Sequence, residues 1–156
     1  MAAGPYIAVI GASAPSPEQE QAAEDIGRGL GAAGCVVITG GRGGVMAAAS
    51  RGAHQAGATV IGILPGTDRR DANEWVGIAL PTGIGELRNG LIVRAADAIV
   101  AVGGAYGTLS EIALALTARV GVVGYDTWSI EGVELADTPA AAVERALELA
   151  ADSEAA

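Results

Sequence analysis

The sequence predicts an α/β domain of Rossmann type, in which helices flank a doubly wound, mostly parallel sheet. Short apolar runs, which are typical of strands buried on both faces, alternate with helical segments along the chain of 156 residues. Hydrophobic residues make up 51% of the composition but aromatic residues only 3%, so Ala, Val, Ile and Leu must form the core. The length fits one domain over residues 1–156, with a frayed acidic tail at 152–156.

In the first half of the chain, apolar runs and their boundary residues define each element. Gly11 ends the first apolar run. Ser16, Pro17 and Gln19 are the residue types of a helix N-cap, a first helical position and a reciprocal cap, so they predict a helix start. Gly57 ends the second helical segment. The predicted elements are strands at 6–10, 35–39 and 58–64 and helices at 17–33 and 45–56.

The second half continues the same alternation. Thr138 and Pro139 predict the start of the last helix as its N-cap and first helical residue. Because strands and helices alternate strictly, right-handed crossovers make the sheet largely parallel. Ligands of such sheets bind beyond the carboxyl ends of the strands, which directs attention to the turns that follow strands. The predicted elements are strands at 76–80, 98–102 and 120–124 and helices at 84–95, 109–118 and 139–151.

Composition excludes several classes of function. The net charge of -9 disfavours binding to nucleic acid or to anionic membranes. All nine basic residues are Arg, and without Lys the chain has neither a Walker-type phosphate loop nor a Schiff-base anchor for pyridoxal phosphate. The single Cys35 allows no internal disulfide, and the single His54 cannot build a metal site alone. No segment is typical of a signal peptide or a membrane span, so we expect a cytoplasmic protein.

The glycine-rich turn Gly103-Gly104-Ala105-Tyr106-Gly107-Thr108 follows a predicted strand and precedes a helix. Its glycines let the backbone approach a ligand closely, and the next helix offers free N–H groups and the positive end of its dipole. The Thr108 hydroxyl adds one more donor. The turn therefore predicts a phosphate site, although a tight turn without a ligand has the same pattern.

Glu111 follows Thr108 by three residues and has two interpretations. In a capping box, the two side chains would satisfy each other's backbone groups at the start of the helix. In a ligand site, Glu111 would lie one turn inside the phosphate site and act on the ligand as an acid, a base or a cation stabiliser. It would not bind the phosphate itself, because like charges repel.

Arg88 lies on the apolar face of the helix predicted at 84–95. An Arg in such a position either extends to solvent or pairs with a carboxylate. Glu111 is one candidate partner, and a pair near a cleft would belong to the site. The residues that share the face with Arg88 at helical spacing are Ile84, Leu91, Ile92 and Ala95.

An earlier turn repeats the Gly-Gly-x-x-Gly spacing. Gly40-Gly41-Arg42-Gly43-Gly44 also follows a strand and precedes a helix, so both turns could face one crevice. The turn Gly11-Ala12-Ser13 lacks the fingerprint of dinucleotide enzymes, and no acidic ribose partner follows Thr39, so a ligand of mononucleotide size fits better. The residues predicted to bind the ligand are Gly11, Ser13, Gly40, Gly41, Gly44, Met46, Gly103, Gly104, Tyr106, Gly107 and Thr108.

The segments Leu87-Arg88-Asn89 and 103–111, together with the turn at 40–46, resemble the lysine-decarboxylase-like, or LONELY GUY, superfamily. The resemblance spans about residues 7–128. The family signature is an Arg-Lys pair followed by Pro-Gly-Gly-x-Gly-Thr-x-x-Glu, whereas this chain has Asn89, Gly103 and Ala105 at three of these positions. These departures favour a short branch of the superfamily that includes molybdenum-cofactor carrier proteins.

The resemblance implies two functions. In hydrolase members, the signature Arg and Glu serve cleavage of the N-glycosidic bond of a nucleoside 5'-monophosphate, which would make Arg88 and Glu111 catalytic here. Gly104, Gly107 and Thr108 would hold the 5'-phosphate. In carrier members, the same pocket holds a pterin phosphate without turnover.

We therefore expect a protein that binds a small phosphorylated ligand, either a nucleoside monophosphate or the molybdenum cofactor, and requires no further cofactor. A phosphoribohydrolase is the alternative, and a scaffold module is a third interpretation. Similarity to dimeric and larger members of the family implies a homo-oligomer, either a dimer or a tetramer.

Overall fold

A computed structural model describes residues 3–156; residues 1 and 2 of the predicted domain lie outside this described part. The strands are β1 (Tyr6–Gly11), β2 (Val36–Thr39), β3 (Val60–Leu64), β4 (Ile78–Pro81), β5 (Ala98–Val102), β6 (Gly121–Tyr125) and β7 (Val133–Leu135). The α-helices are α1 (Pro17–Ala32), α2 (Val45–Gln55), α3 (Arg88–Ala95), α4 (Tyr106–Ala118) and α5 (Pro139–Glu154). The strands form one parallel sheet in the order β4-β3-β2-β1-β5-β6-β7. The predicted doubly wound α/β fold is confirmed.

Helices cover both faces of the sheet, so the domain has two hydrophobic layers. On one face, α1, α2 and α5 pack over a core that contains Val9 and Ile26. On the other face, α3 and α4 pack over a core that contains Ile10, Ile92 and Ile112. The strand order changes direction between β1 and β5, and in sheets of this type the crevice at such a point receives the ligand.

The predicted helix starts at Ser16 and Thr138 are confirmed. The Ser16 hydroxyl accepts a hydrogen bond from the backbone N–H of Gln19 at 3.1 Å, and the Gln19 side chain accepts one from the Ser16 N–H at 3.0 Å. The Thr138 hydroxyl accepts from the N–H of Ala141 at 3.1 Å. These local patterns were sufficient to position both helices because each cap depends only on residues within one helical turn.

The helix predicted at 84–95 is shorter in the structure. Gly83 and Gly85 have φ values of +68° and +61°, which belong to the left-handed region and interrupt a right-handed helix. A 3₁₀ turn therefore occupies Gly85–Leu87, and α3 begins only at Arg88. The buried face of α3 carries Ile92 and Val93. The predicted apolar face is thus wrong at three positions, because Ile84, Leu91 and Ala95 are exposed.

Other boundaries shift where short-range signals are weak. Helix α4 begins at Tyr106, three residues before its predicted start, and α5 continues to Glu154. The sequence does not predict β7, because this edge strand has three residues, two of them exposed, and no continuous apolar run. The strand predicted at 76–80 lies at Ile78–Pro81, on the opposite edge of the sheet.

Candidate functional site

A cavity of about 390 Å³ lies at the carboxyl ends of β1, β2 and β5. Gly11 and Ser13 line it from the turn after β1, and Gly40 and Met46 line it from the turn after β2 and the start of α2. The start of α4 forms the third wall of the cavity, and residues at the start of α3 form the fourth. A cavity of this size falls within the range of small-molecule pockets.

Helix α4 begins at the cavity without a side-chain cap. Ala105 is the N-cap, and the first hydrogen bond into the helix runs from Leu109 N–H to the Ala105 carbonyl at 3.0 Å. The N–H groups of Tyr106, Gly107 and Thr108 therefore have no partner within the helix. Gly107 lines the cavity, and a Cβ added to it would meet no atom within 4 Å. Together, these donors can accept an anion that approaches the helix end.

The capping box between Thr108 and Glu111, one of the two interpretations of Glu111, does not form. Because α4 begins at Tyr106, Thr108 is the third residue of the helix and cannot be its N-cap. Thr108 is buried instead against Gly104, where an added Cβ would lie 2.5 Å from the Thr108 Oγ1. Both Thr108 and Glu111 line the cavity, which is the position that the site interpretation of Glu111 requires.

The Glu111 side chain is 9% exposed, and that remaining exposure opens onto the cavity. Within the described part of the chain, no group hydrogen-bonds to its carboxyl oxygens. Burial raises the pKa of Glu111 to about 7, and the positive charge of Arg88 opposes part of this increase. Near neutral pH, Glu111 can therefore either donate or accept a proton in a hydrogen bond with a ligand.

Arg88, the first residue of α3, extends across the carboxyl ends of β2 and β3. Its Nη1 donates to the carbonyl of Gly40 at 2.8 Å and to the carbonyl of Ile63. Its Nε donates to Oδ1 of Asn89 at 2.9 Å. Burial lowers the pKa of Arg88, the charge of Arg42 lowers it further, and Glu111 opposes both effects. The guanidinium group nevertheless stays positively charged, because its ordinary pKa is far above neutral.

Arg88 and Glu111 line the same cavity, but they do not form the direct ion pair that the sequence suggested. Every nitrogen of the Arg88 guanidinium lies more than 4.0 Å from the Glu111 oxygens. Their charges still influence each other's pKa, so the two side chains are close.

A buried polar network holds the turn after β2. The Thr39 hydroxyl accepts from the Gly41 N–H at 3.1 Å and shares a hydrogen bond of 3.1 Å with Ser50 on α2. Ser50 donates in turn to the carbonyl of Met46 at 2.7 Å. A Cβ added to Gly40 would lie 2.7 Å from Nη1 of Arg88. The guanidinium group can therefore occupy this position only because residue 40 has no side chain.

Several predicted ligand-binding residues do not line the cavity. Gly41 packs against the Leu64 side chain, and Gly44 packs against the backbone at Ser13. Gly103 lies beside Gln19, behind the turn. Tyr106 is 82% exposed and lies on a separate groove. The predicted residues placed outside the cavity lining are Gly41, Gly44, Gly103, Gly104 and Tyr106.

The cavity also contains residues that the sequence analysis did not assign to it. Arg42 and Asn89 lie inside motifs that the sequence analysis quoted, so their positions were a usable signal. Pro65, Gly85 and Glu86 come from the segments after β3 and before α3. Pro65 directly follows β3, so the rule about strand ends could have identified it, whereas the places of Gly85 and Glu86 depend on how the left-handed Gly83 and Gly85 turn the chain.

A separate apolar groove lies between α3 and α4, beside the cavity. It is lined by Leu87, which is 77% exposed, by Tyr106 and by Leu114. Glu86, Asn89 and Gly107 line both the groove and the cavity, so the two features share one rim. Large exposed apolar side chains that lie together are typical of a surface that contacts another molecule.

Two structural searches give negative results for the part of the chain that the structure covers. Among residues 3–156, no three or more His, Cys, Asp or Glu side chains come together in a group that could hold a metal ion. Over the same residues, no helix combines the length and the apolar character that crossing a membrane requires.

Comparison with known proteins identifies relatives along nearly the whole chain. An uncharacterized protein of Archaeoglobus fulgidus is 40% identical over 139 residues, which cover 88% of this chain and 91% of the relative. The molybdenum cofactor carrier protein of Chlamydomonas reinhardtii has 34% identity and a TM-score of 0.87, with 95% of this chain and 99% of that chain covered. The molybdenum cofactor binding protein of Rippkaea orientalis has the same identity and TM-score, with 91% and 94% covered.

The model of the SLOG cluster4 family matches residues 4–153. This match covers both glycine-rich turns, Arg88 and Glu111, and it confirms the family resemblance predicted from those motifs. The chain therefore belongs to the SLOG cluster4 family.

Proposed function

We propose that this protein is a carrier of the molybdenum cofactor, which it binds through the phosphorylated pterin without turnover. One observation carries the proposal: Gly107, in the first turn of α4, lines the cavity beside free N–H groups and has open space where a side chain would be. Glycine inside a helix costs about 1 kcal/mol relative to Ala. No atom of the described chain explains that cost at Gly107, whereas a ligand against the helix end does.

The phosphate of the ligand would bind at the start of α4. Gly107 and Thr108 supply backbone N–H groups there, and the helix dipole favours negative charge at this end. Arg42 lies across the cavity, and among residues 3–156 no carboxylate forms a salt bridge with it. Its positive charge is therefore available to a phosphate. This local charge offsets the repulsion that a net charge of -9 would otherwise exert on an anionic ligand.

The metal end of the cofactor would make few direct bonds to the protein. Since no metal-binding group of side chains is found in residues 3–156, the chain would hold the cofactor by its organic part. That arrangement suits a carrier, because a ligand held by hydrogen bonds and charge leaves more readily than one bonded through its metal. The carrier and binding proteins of Chlamydomonas reinhardtii and Rippkaea orientalis, each 34% identical to this chain, support the same ligand class.

A phosphoribohydrolase is the second candidate, and one observation favours it. Glu111 is buried in the cavity with a pKa of about 7, which is the range that general acid–base catalysis uses at neutral pH. In that function, Glu111 would stabilise the cation-like transition state or activate water, and Arg88 would orient it. Asn89 stands where hydrolases of the superfamily have Lys, so the cavity has one positive charge fewer than theirs.

A cofactor-retention experiment tests the carrier function. Molybdenum cofactor released anaerobically from a denatured molybdoenzyme is incubated with the protein, and molybdenum and pterin are measured in the protein fraction after gel filtration. Gly107→Ala adds a methyl group to the proposed phosphate site, so we expect its affinity to fall by about tenfold or more. Gly90→Ala is the matched control, because Gly90 also lies in the first turn of a helix, has open space beside it, and does not line the cavity.

The wild-type protein and Gly90→Ala should retain the cofactor, and Gly107→Ala should lose it. Equal retention by the two variants would contradict the phosphate site, and free elution of the cofactor from the wild type would contradict the carrier function. Incubation with nucleoside 5'-monophosphates separates the second candidate: release of free base, abolished by Glu111→Ala, would establish a hydrolase instead.

We also propose that the protein forms a homo-oligomer through the groove between α3 and α4. Leu87, Tyr106 and Leu114 would be covered there, which removes apolar surface from water. Multi-angle light scattering of the wild type should give a mass above the 15.3 kDa of one chain. Leu87→Glu should lower that mass to one chain, whereas Leu135→Glu, at an exposed Leu outside the groove, should not. A wild-type mass of one chain would contradict the oligomer.

A further inference from the structure

Two of the three guanidinium nitrogens of Arg88 donate hydrogen bonds to the protein, and the third is free for a ligand. Its Nε and Nη1 are committed to the chain, since they donate to Asn89, Gly40 and Ile63. These three bonds come from three different elements, so they fix the plane of the guanidinium group. Its Nη2 donates to no residue between 3 and 156, and Arg88 lines the cavity.

Glu111 complements that free nitrogen. The residue is nine-tenths buried and lines the cavity, and its carboxyl group has no hydrogen-bond partner in the described chain. A partly desolvated carboxyl group without protein partners is stabilised when a ligand donates hydrogen bonds to it. Arg88 and Glu111 both line the cavity without forming a salt bridge, so a ligand in the cavity can contact both side chains.

We propose that Arg88 and Glu111 together read the lactam edge of the ligand's heterocycle, the adjacent C=O and N–H groups of a pyrimidinone ring. Nη2 of Arg88 donates to the ring carbonyl, and the Glu111 carboxylate accepts from the ring N–H and the neighbouring amino group. This inference rests on the proposed function, because it concerns the part of a phosphorylated pterin that the phosphate site does not contact.

The pair is suited to a lactam and not to a second phosphate or an adenine-type ring. A phosphate beside Glu111 would place two negative groups together. An adenine-type edge has no carbonyl for Arg88, and its ring nitrogen is an acceptor that would face the carboxylate. Sites that form hydrogen bonds of this kind discriminate strongly, because the wrong ligand leaves buried polar groups unpaired.

Two nucleotides with the same ribose and phosphate provide the test. Guanosine 5'-monophosphate has the lactam edge that a pterin also has, whereas adenosine 5'-monophosphate lacks it. Isothermal titration calorimetry of the wild-type protein at pH 8, where Glu111 is mostly ionised and accepts hydrogen bonds, should show that the guanosine nucleotide binds at least about tenfold more tightly. Glu111→Gln should bring the ratio of the two affinities close to one, mainly by weakening the guanosine nucleotide.

Glu74→Gln is the control, because Glu74 is an exposed carboxylate that lines neither the cavity nor the groove between α3 and α4. It should keep the preference for the guanosine nucleotide. Equal affinities of the wild type for both nucleotides, or a preference that survives Glu111→Gln, would overturn the inference, as would undetectable binding of the guanosine nucleotide. These outcomes are separate from the proposed function, which fails only if the wild type also does not retain the molybdenum cofactor.

Discussion

The glycine-rich turns at 40–44 and 103–107 have the same spacing, but the space beside their last glycines is different. At Gly44, an added Cβ would lie 2.4 Å from the carbonyl oxygen of Ala12 and 2.6 Å from that of Ser13. At Gly107, it would meet no atom within 4 Å. One glycine lets two parts of the chain touch, and the other leaves room for something outside the chain.

The helices that follow these turns differ in the same way. The first N–H group of α2, at Val45, donates to the carbonyl of Ala12 at 2.9 Å, so the protein itself occupies that helix end. The start of α4 faces the cavity with no such bond. The backbone of the turn after β2 therefore joins two loops, with the Arg42 side chain at the cavity, whereas the turn after β5 leaves the N–H groups of the next helix free for a ligand. Equal glycine spacing does not imply equal function.

The largest expected effect on stability comes from adding a side chain at Gly44. Gly44→Ala places a side chain on a residue with a φ of +66° and against two backbone oxygens that cannot move independently, so we expect a loss of about 3–5 kcal/mol in the free energy of unfolding. Urea unfolding measures it. Gly43→Ala is the control within the same turn, because a Cβ there meets nothing within 4 Å.

Gly107→Ala should change stability in the opposite direction, with a gain of about 0.5–1 kcal/mol, since Ala favours the helix and no contact is lost. The comparison of the two turns would be wrong if Gly44→Ala and Gly43→Ala unfolded at the same urea concentration. It would also be wrong if Gly107→Ala were as damaging as Gly44→Ala.

Much of the fold could be predicted, because its signals are short-range. Apolar runs and the caps at Ser16 and Thr138 identify strands and helix starts without knowledge of the rest of the chain. The crevice follows from one rule about parallel sheets, and this rule led to the turns after β1, β2 and β5. The sequence did not predict elements that lack local signals, such as the three-residue strand β7.

The candidate site was less predictable, because its details depend on what lies beside each residue in space. Spacing alone could not distinguish Gly44 from Gly107, or show that Gly103 packs on Gln19. It also could not reject the capping box at Thr108, since that decision depends on where α4 begins. The sequence offered Glu111 as one candidate partner of Arg88, but only the three-dimensional structure shows that the two line one cavity without forming an ion pair.

The two regions should also differ in their response to pH, with a smaller effect than that of Gly44→Ala. The network behind the turn at 40–44 consists of the hydroxyls of Thr39 and Ser50, which do not titrate in the physiological range. Beside α4, burial raises the pKa of Glu111 from 4.5 to about 7. The folded protein therefore binds a proton between pH 4.5 and 7 that the unfolded chain has released. Stability from this group is fully present below that window and is lost as the pH rises through 7.

Glu111→Gln removes this titration, and the difference between the two proteins isolates it. Measured by urea unfolding at pH 5 and pH 8, the stability of the wild type relative to Glu111→Gln should fall by up to about 3 kcal/mol. Glu24, whose pKa is lowered by its hydrogen bond from Arg51, titrates in both proteins and cancels in the difference. A relative stability that stays constant with pH would mean that Glu111 is hydrated in solution, and the contrast between a titrating ligand site and a neutral scaffold would then disappear.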